Sequence, residues 1–383
     1  MKKLFVLTMV VAMLAAFVPV AFAAPPAEGQ DYIIATGDWL SKIAEKYLDD
    51  PLAYPAIALA TNEKHDADPS YAFISNVDLI EPGWKLYVPS KDEATTLLET
   101  EYKIAVVTKD IAANNPFWAA VWKGAEETAA KWQVIELTLD APTSEADVDV
   151  QIAKVEDAIT KENKALVVAP TDASALNPAF DKAKAAGAPV LIIDSDTTWP
   201  DKLTFIGTDN KAGGKLAGEY LCSELGSGAK VAIITGHMTA QSIADRVNGS
   251  KEAFAACGAT IVAELNGQHT VEGGRSVMED IITSNPDVQG VFCANDNMAL
   301  GAVEAFKAAG KLEGVMVCGF DANPDAAVSI LTGEMSASIA QSPYNMGAFG
   351  LVYGLNAMRG LSVPSRIDTG TTLVTADNAE AYK

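Results

Sequence analysis

Polar planar side chains recur in this sequence directly after apolar runs, and their types and spacing carry most of its chemical information. They stand in the segments Asn115-Pro116-Phe117-Trp118, Pro170-Thr171-Asp172, Asp194-Ser195-Asp196, Asp209-Asn210, Gly236-His237, Asn295-Asp296-Asn297 and Asp321-Ala322-Asn323. Carboxylates and amides bind neighbouring hydroxyl groups in pairs, and an aromatic ring covers an apolar C–H face. The mixture predicts a site for a polyhydroxylated small molecule such as a sugar.

A second interpretation of the same residues stays open. Any one Asp or Asn in these segments is also a good turn former or helix cap. The recurrence of such residues after many strands, rather than any single residue, is what favours a binding function.

The sequence lacks the motifs of covalent or metal-assisted catalysis. It contains no Gly-x-Ser-x-Gly elbow and no HExxH motif, and its three histidines, His65, His237 and His269, are scattered. No cysteine has a CxxC partner. We therefore expect no catalytic residues, no metal site and no cofactor.

Alternating strands and helices must position the polar segments. Apolar β-rich runs lie at residues 103–107, 134–139, 165–169, 189–193, 204–206, 230–234, 260–263, 290–294 and 315–320. Amphipathic helical stretches between them include residues 118–131, 175–186, 212–225 and 296–309. This order predicts parallel sheets covered by helices on both faces, with ligands at the carboxyl ends of the strands. A division near Gly207-Thr208-Asp209 predicts two doubly wound lobes.

The first 23 residues are typical of a secretory signal. Lys2 and Lys3 precede an apolar run, and Ala21-Phe22-Ala23 supplies a small-x-small cleavage site. The alternative is a membrane anchor, which Pro19 and the cleavage site disfavour. Because the first cysteine is Cys222, no acceptor for a lipid anchor follows the signal, and we expect no membrane insertion after cleavage.

The four cysteines of an exported protein can form disulfides. Cys222 and Cys257 lie near the ends of helical segments, and we advance their pairing as a hypothesis. Cys293 and Cys318 lie in strand-like apolar runs and are expected to be buried thiols.

The charge balance excludes one class of partner. The 383 residues carry 28 Lys+Arg against 50 Asp+Glu, a net charge of −22. A strongly acidic surface repels phosphate backbones, so nucleic acid is not an expected partner.

A small module at residues 31–90 precedes the α/β region, and residues 91–101 form an acidic, polar linker. The run Tyr32-Ile33-Ile34 predicts a strand, and Thr36-Gly37-Asp38 predicts a helix start. After the turn at Pro82-Gly83, Leu86-Tyr87-Val88 predicts a closing strand.

The module resembles LysM, the peptidoglycan-binding domain. The matching residues are Thr36-Gly37-Asp38-Trp39-Leu40-Ser41-Lys42-Ile43-Ala44, Tyr47, Tyr54, Asn62 and Ile80-Glu81-Pro82-Gly83-Trp84-Lys85-Leu86-Tyr87-Val88-Pro89. The resemblance implies a βααβ module that binds glycan through Thr36, Gly37, Asp38, Trp39, Leu40, Ile80, Pro82, Gly83 and Trp84. The alternative is that Trp39 and Trp84 are core residues of a small domain.

Residues 102–365 resemble the type I periplasmic sugar-binding proteins of ribose- and glucose-type ABC importers. The matching segments are Asn115-Pro116-Phe117-Trp118, Pro170-Thr171-Asp172, Ile206-Gly207-Thr208-Asp209-Asn210, Asn295-Asp296-Asn297-Met298-Ala299-Leu300-Gly301-Ala302, Gly319-Phe320-Asp321, Asn323-Pro324-Asp325 and Ile339-Ala340-Gln341. The resemblance implies two lobes joined by a three-crossover hinge. Lobe one would be residues 102–208 plus 342–368, and lobe two residues 209–341 plus 369–383.

The same resemblance implies a monosaccharide site. Its residues would be Asn115, Phe117, Trp118, Asp194, Arg246, His269, Asn295, Phe320, Asp321 and Gln341. Phe117 and Trp118 would form one stacking wall and Phe320 the opposite wall. His269 stands where the family has an aromatic residue.

The expected function is an exported, periplasmic or wall-associated receptor. It would capture a monosaccharide, deliver it to an ABC permease of the inner membrane, and be held at peptidoglycan by the LysM-like module. One alternative is a sugar sensor subunit for a chemoreceptor or sensor kinase, and another is a cell-wall glycan-processing enzyme. A sugar-responsive repressor is disfavoured, because the sequence has a signal peptide and lacks a helix-turn-helix.

Overall fold

The structure is a computed structural model that describes residues 28–74, 77–98, 102–132 and 135–383. The predicted secretory signal lies outside the described residues. Within the described ranges, we find no helix both long and apolar enough to cross a membrane.

The N-terminal module, residues 28–98, has the predicted order of strand, helix, helix and strand, and a further helix follows. Its elements are β1 (Gln30–Ile33), α1 (Leu40–Leu48), α2 (Tyr54–Ala67), β2 (Lys85–Val88) and α3 (Lys91–Leu98). β1 and β2 pair antiparallel. Leu40, Ile43, Ile57 and Leu86 are buried and form the module core.

Helix α3 occupies most of the segment for which the sequence predicts a polar linker; residues 99–101 of that segment lie outside the described ranges. Ser90 and Glu93 form a capping box: Ser90 N donates to Glu93 Oε2 at 2.7 Å, and Glu93 N donates to Ser90 Oγ at 3.2 Å. These bonds satisfy backbone donors at the helix start. Because Ala94 is buried in the module core, this part of the chain is a structural element and not a free tether.

The first lobe begins after the module with a βα alternation. Its elements are β3 (Tyr102–Val107), α4 (Pro116–Trp132), β4 (Ile135–Asp140), α5 (Val148–Thr160), β5 (Ala165–Val168), α6 (Asn177–Ala185), β6 (Val190–Ile193) and β7 (Thr204–Gly207). β5, β6, β7 and the second part of β3 are buried because helices cover the sheet on both faces, whereas the edge strand β4 is partly exposed.

The second lobe repeats the alternation, and the chain then returns to both lobes. The elements are α7 (Asn210–Leu225), β8 (Lys230–Thr235), α8 (Gln241–Cys257), β9 (Thr260–Asn266), α9 (Val271–Ser284), β10 (Gly290–Cys293), α10 (Asp296–Ala308), β11 (Met316–Asp321), α11 (Pro324–Leu331), β12 (Ala337–Ala340), α12 (Pro343–Met358), β13 (Arg366–Asp368) and β14 (Thr372–Val374).

Each lobe contains one six-stranded sheet, with order β13-β7-β6-β5-β3-β4 in lobe one and β14-β12-β11-β10-β8-β9 in lobe two. All pairs in these sheets are parallel except β12 with β14. The chain passes between the sheets after β7, after β12 and after β13, so the crossovers lie at one edge of both sheets. β4 and β9 form the opposite edge.

The N-terminal module packs against lobe one through the end of α12. Tyr353 on α12 donates to Asp78 Oδ2 at 3.1 Å, and Leu361 belongs to the module's buried core cluster. Tyr54 of α2 forms a side-chain hydrogen bond with Asn356, and burial raises the pKa of Tyr54. The module and lobe one therefore share a packed interface with buried polar groups.

Helices α7 and α8 of lobe two approach each other very closely. Cys222 on α7 and Cys257 on α8 form the predicted disulfide, with a Cα–Cα distance of 6.2 Å. The two other cysteines, Cys293 and Cys318, are buried free thiols, as predicted. Gly214 on α7 contacts the backbone of Arg246, because a Cβ atom at Gly214 would lie 2.0 Å from the Arg246 carbonyl oxygen.

We expect Gly214→Ala to destabilise lobe two by about 2 kcal/mol or more, since backbone cannot yield to an added methyl group as a flexible side chain can. The midpoint of chemical unfolding measures this effect. Gly354→Ala is the matched control within helix α12, where the nearest atom to an added Cβ is 3.6 Å away. It should be neutral or stabilising by up to about 1 kcal/mol. Equal midpoints for the two variants would contradict the close packing of α7 on α8.

Candidate functional site

A buried cleft lies between the carboxyl ends of the strands of both lobes. The residues that line it are Lys109, Asn115, Phe117, Trp118, Glu145, Asp194, Ser242, Ile243, Arg246, His269, Asn295 and Asp321. Parallel sheets place ligand sites at this edge, because the loops that follow neighbouring strands converge there.

The aromatic wall of lobe one lies at the first turn of α4. Asn115 accepts from Phe117 N at 3.0 Å, which fixes the start of the helix. The Phe117 and Trp118 rings lie edge to face with centroids 4.8 Å apart. Both side chains are buried, so the wall is a rigid apolar surface.

Gln151 of α5 holds the strand ends behind this wall. Its amide donates to the carbonyl oxygens of Thr108 at 3.0 Å and Ala169 at 2.8 Å, and its oxygen accepts from Thr171 N at 2.8 Å. One buried side chain therefore ties together the loops that follow the neighbouring strands β3 and β5.

The deepest part of the cleft is an ion pair. Asp194 follows β6, and its Oδ2 lies 2.6 Å from Lys109 Nζ, with 4% and 3% of the two side chains exposed. Lys109 also donates to Ser242 Oγ of lobe two at 3.1 Å. Lys109 therefore links the two lobes through the floor of the site.

Arg246 of α8 is the cationic group of lobe two. It donates from Nε to Asn210 Oδ1 at 2.8 Å and from Nη1 to the Ala294 carbonyl oxygen at 2.9 Å. Its Nη1 also lies 3.6 Å from Asp321 Oδ1. The guanidinium is thus fixed on several sides before any ligand is bound.

The pKa of Asp321 reflects its burial. Burial raises this pKa to about 7, against the lowering effects of Arg246 and of Gln341. Gln341 donates to Asp321 Oδ1 at 2.6 Å. Arg246 and Gln341 therefore stabilise the charged form of Asp321 against the effect of its burial.

Glu145 and His269 meet across the lobes. Glu145 Oε1 accepts from Trp118 Nε1 at 3.1 Å, and Glu145 Oε2 lies 3.5 Å from His269 Nδ1. His269 Nε2 accepts from the backbone N of His237 at 2.9 Å. Burial lowers the pKa of His269 to about 4, so the ring is neutral at pH 7. Burial would raise the pKa of Glu145, but His269 and Lys109 bring it below its ordinary value.

The structure brings together most of the predicted site residues. Asn115, Phe117, Trp118, Asp194, Arg246, His269, Asn295 and Asp321 all line the cleft. Asn295 also caps α10, because its side chain accepts from Met298 N at 3.0 Å. This residue is therefore both a helix cap and a cleft residue.

Two predicted residues have other positions. Phe320 is fully buried under Arg246, with its ring centroid 3.8 Å from Arg246 Cζ, and it does not line the opposite wall. Gln341 contacts Asp321 and not the cleft itself. These two residues support the charged groups from behind.

Lys109, Glu145, Ser242 and Ile243 are cleft residues that sequence reasoning missed. Lys109 comes almost directly after β3, so the rule that placed the other residues could have found it. Glu145 lies several residues beyond the end of β4, and its position depends on the shape of the loop.

The free space inside the cleft is small, about 20 Å³. This is room for roughly one or two water molecules. A sugar ring needs more space, so the groups that line the cleft must move apart to admit one. Within the described ranges, we find no group of three or more His, Cys, Asp or Glu that could hold a metal ion.

Two α/β lobes with a three-crossover hinge and an interlobe site define a two-lobed binding protein. The chain belongs to the periplasmic binding protein family, since the model of the periplasmic binding protein domain matches residues 104–361.

Relatives of this chain are substrate-binding proteins. It is 35% identical over 261 residues to the ribose import binding protein of Salmonella typhimurium, covering 68% of this chain and 87% of the relative. It is 33% identical over 258 residues to the D-allose-binding periplasmic protein of Escherichia coli, covering 64% and 81%. These proteins are transport components and not enzymes, so the chain belongs to a family of binding proteins.

Solved structures agree in fold. An ABC transporter solute-binding protein from Agrobacterium vitis with bound D-fucose has a TM-score of 0.70 and 33% identity, covering 72% of this chain and 96% of the other. One from Actinobacillus succinogenes with bound D-allose has a TM-score of 0.69 and 30% identity, covering 74% and 100%.

We expect the stability contributed by His269 to fall as the pH falls. Its folded-state pKa of about 4 lies below the ordinary value of 6.5, so the unfolded chain binds more protons between these values and stability rises with pH. The unfolding free energy of wild type minus that of His269→Gln should fall by about 2 kcal/mol from pH 7 to pH 4.5. The pKa of Asp321 is shifted upward, so its contribution to stability has the opposite pH dependence. The difference between wild type and His269→Gln is needed to isolate the contribution of His269. A pH-independent difference would refute the assignment.

Proposed function

We propose that this protein is an exported receptor that captures a monosaccharide between its two lobes and delivers it to an ABC-type importer. The observation that carries the proposal is the interlobe cleft, in which both lobes present fixed polar groups beside the aromatic wall of Phe117 and Trp118. Ring stacking and paired hydrogen bonds are the two requirements of a sugar. Relatives named for ribose and D-allose support this ligand class.

The charges of the cleft favour a neutral ligand. Lys109 lies against Asp194, and Arg246 lies between Asp194 and Asp321, at 3.9 and 3.6 Å. Each cation already has a carboxylate partner, so an anionic ligand would have to displace one. Hydroxyl groups, which donate and accept, can insert among these groups without leaving a net charge buried.

Ligand capture follows from differential affinity. An open form contacts the sugar with one lobe and the closed form with both, so the sugar shifts the population toward closure. The importer then recognises the closed arrangement of the lobes. One step of closure is the contact of Lys109 with Ser242, which joins the lobes at the floor of the cleft.

The N-terminal module is proposed to bind peptidoglycan glycan, as its resemblance to LysM implies. Support comes from the first loop, where Asp38 Oδ2 accepts from Ala35 N and from the Tyr32 hydroxyl. The turn is thereby locked, and Trp39 is left 52% exposed with Lys42 Nζ 3.3 Å from its ring centroid. An exposed Trp39 is not a core residue, which disfavours that alternative for this tryptophan.

The second loop lies against the first. Gly83 N donates to the Ile34 carbonyl oxygen at 2.8 Å, and Ile34 N donates to the Trp84 carbonyl oxygen at 3.0 Å. Gly83 has a φ of 93°, a conformation that suits glycine. Because the net charge is −22, retention at anionic wall polymers would have to come from recognition of neutral glycan and not from charge.

The sugar-binding proposal is tested by thermal shift of the full mature chain against pentoses, hexoses and polyols. A bound sugar at about 100 times its dissociation constant should add about 2.7 kcal/mol of stability. Asp194→Ala should then weaken binding about tenfold to a hundredfold, since it leaves Lys109 and bound hydroxyls without an acceptor. Asp196→Ala is the control, since it removes a partly exposed pair with Lys202 and an acceptor for Thr197 N at a residue that does not line the cleft. No shift with any sugar would overturn the proposal.

The glycan proposal is tested by co-sedimentation with insoluble peptidoglycan. Trp39→Ala should reduce the retained fraction several-fold, because an aromatic ring is the main apolar contact for a sugar face. Phe73→Ala is the matched control: Phe73 is 56% exposed and lies outside both loops. Point variants are preferable to deletion, since removal of the module would expose Leu361. Equal retention of wild type and Trp39→Ala would contradict the proposal.

A further inference from the structure

The Glu145 carboxylate is the point at which the two walls of the cleft meet. It belongs to the β4–α5 loop of lobe one and bonds the Trp118 indole of the same lobe. Its other oxygen faces His269, in the β9–α9 loop of lobe two. One carboxylate therefore contacts the stacking ring of lobe one and a buried side chain of lobe two.

The His269 hydrogen bonds determine which nitrogen carries the proton. Nε2 accepts from His237 N at 2.9 Å, so the proton of a neutral ring lies on Nδ1 and points toward Glu145. The ring cannot easily turn away, because it packs on Gly236, where a Cβ atom would lie 2.1 Å from His269 Cε1. The donor is thus oriented before the lobes meet.

Glu145 and His269 follow strands at the edge of the two sheets that is farthest from the hinge. β4 and β9 are the edge strands of their sheets, and all three crossovers lie at the other edge. The pair is consequently far from the hinge, where opening of the lobes separates opposing groups most. Other interlobe bonds, such as Ala173 N to the Thr239 carbonyl oxygen at 2.9 Å, come from loops after inner strands.

A second cavity, the outer groove, lies on the far side of the pair and measures about 460 Å³. Its lining includes Asp110, Asn114, Thr143, Glu272, Asn297 and Asp325. Asn115, Glu145 and His269 line both this groove and the inner cleft. The pair therefore forms the partition between the inner cleft and a space large enough for a second ring.

We propose that Glu145 and His269 form an interlobe latch that closes the sugar site at its mouth and makes the receptor select free monosaccharides over their glycosides. The inference rests on the proposed sugar-binding function. A substituent that projects toward the outer groove would have to separate Glu145 from His269. The latch therefore acts as a positioning pair for Trp118 and as a determinant of ligand length.

The test compares wild type with Glu145→Ala, Glu145→Gln and Glu272→Ala, using D-ribose, D-allose, D-fucose and their methyl glycosides. Stopped-flow tryptophan fluorescence gives the dissociation rate. Glu145→Ala should raise the dissociation rate about tenfold with a smaller change in association, because the contact forms on closure. Its preference for free sugar over glycoside should fall about tenfold. Glu145→Gln, which keeps an acceptor for Trp118, should be intermediate.

Glu272→Ala is the matched control, since it removes an acid from the outer groove at a residue that does not line the inner cleft. It should retain wild-type rates and preference. If Glu145→Ala does not unfold cooperatively, Glu145→Gln and His269→Gln decide the question. Wild-type dissociation and preference in these variants would overturn the latch.

A sugar-independent measurement separates failure of the latch from failure of the proposed function. Imidazole nitrogen shifts from NMR of the ligand-free protein should show the Nδ1-protonated form of His269, and Glu145→Ala should change them. If the Nδ1-protonated form is not seen and Glu145→Ala leaves the nitrogen shifts unchanged, the latch is overturned even if sugars bind. If no sugar binds wild type, the proposed function fails, and the nitrogen shifts alone judge the pairing.

Discussion

Burial of ionisable groups between the two lobes is the constraint on which the rest of the structure depends. Lys109, Asp194, Arg246 and Asp321 are all nearly inaccessible, and an isolated buried charge would be prohibitively unfavourable. The arrangement is stable because each charge lies near an opposite charge and hydrogen-bonding partners. Two of these contacts, Arg246 with Asp194 and Lys109 with Ser242, cross the lobe boundary. Closure of the lobes and pairing of the charges therefore occur together. Separation of the lobes exposes the charged groups to water, and closure buries them again only if their partners have matching geometry.

Backbone conformation shows where that geometry is enforced. Asp194, His269 and Asp321 have φ values of 59°, 62° and 119°, which are unfavourable for residues other than glycine. Each lies at or just beyond the carboxyl end of a strand, where the parallel sheet fixes the chain before the loop begins. Each such conformation costs about 1–3 kcal/mol, which the surrounding fold offsets. The same conformations orient the side chains into the cleft. Among the described residues, three of the seven non-glycine residues with positive φ thus line the cleft.

The nine runs predicted in the α/β region are all strands, whereas β12, β13 and β14 were not predicted, although β12 is buried. Continuous apolar runs such as Leu166–Val168 in β5 have no other stable environment, so every predicted run is a strand. β13 and β14 are three residues long and largely exposed, and nothing in their local pattern distinguishes them from loops. The same limit applies to the site. Residues immediately after strands were found, whereas Glu145 was not, because the path of a loop depends on tertiary packing. Phe320 was assigned to the wall by the family resemblance, and its ring instead lies under Arg246.

The packing of the module on α12 changes how retention at the cell wall would act on the receptor. A tethered module would restrict only the average distance between receptor and wall. Here Tyr353, Asn356 and Leu361 of lobe one pack against the module, so a change in the orientation of one would have to break buried contacts with the other. Lobe two is joined to lobe one by the crossovers, by the cleft contacts and by loop contacts such as that of Ala173 with Thr239. Wall binding through the module would therefore orient lobe one without opposing closure, and glycan retention and sugar capture can operate independently in the same chain.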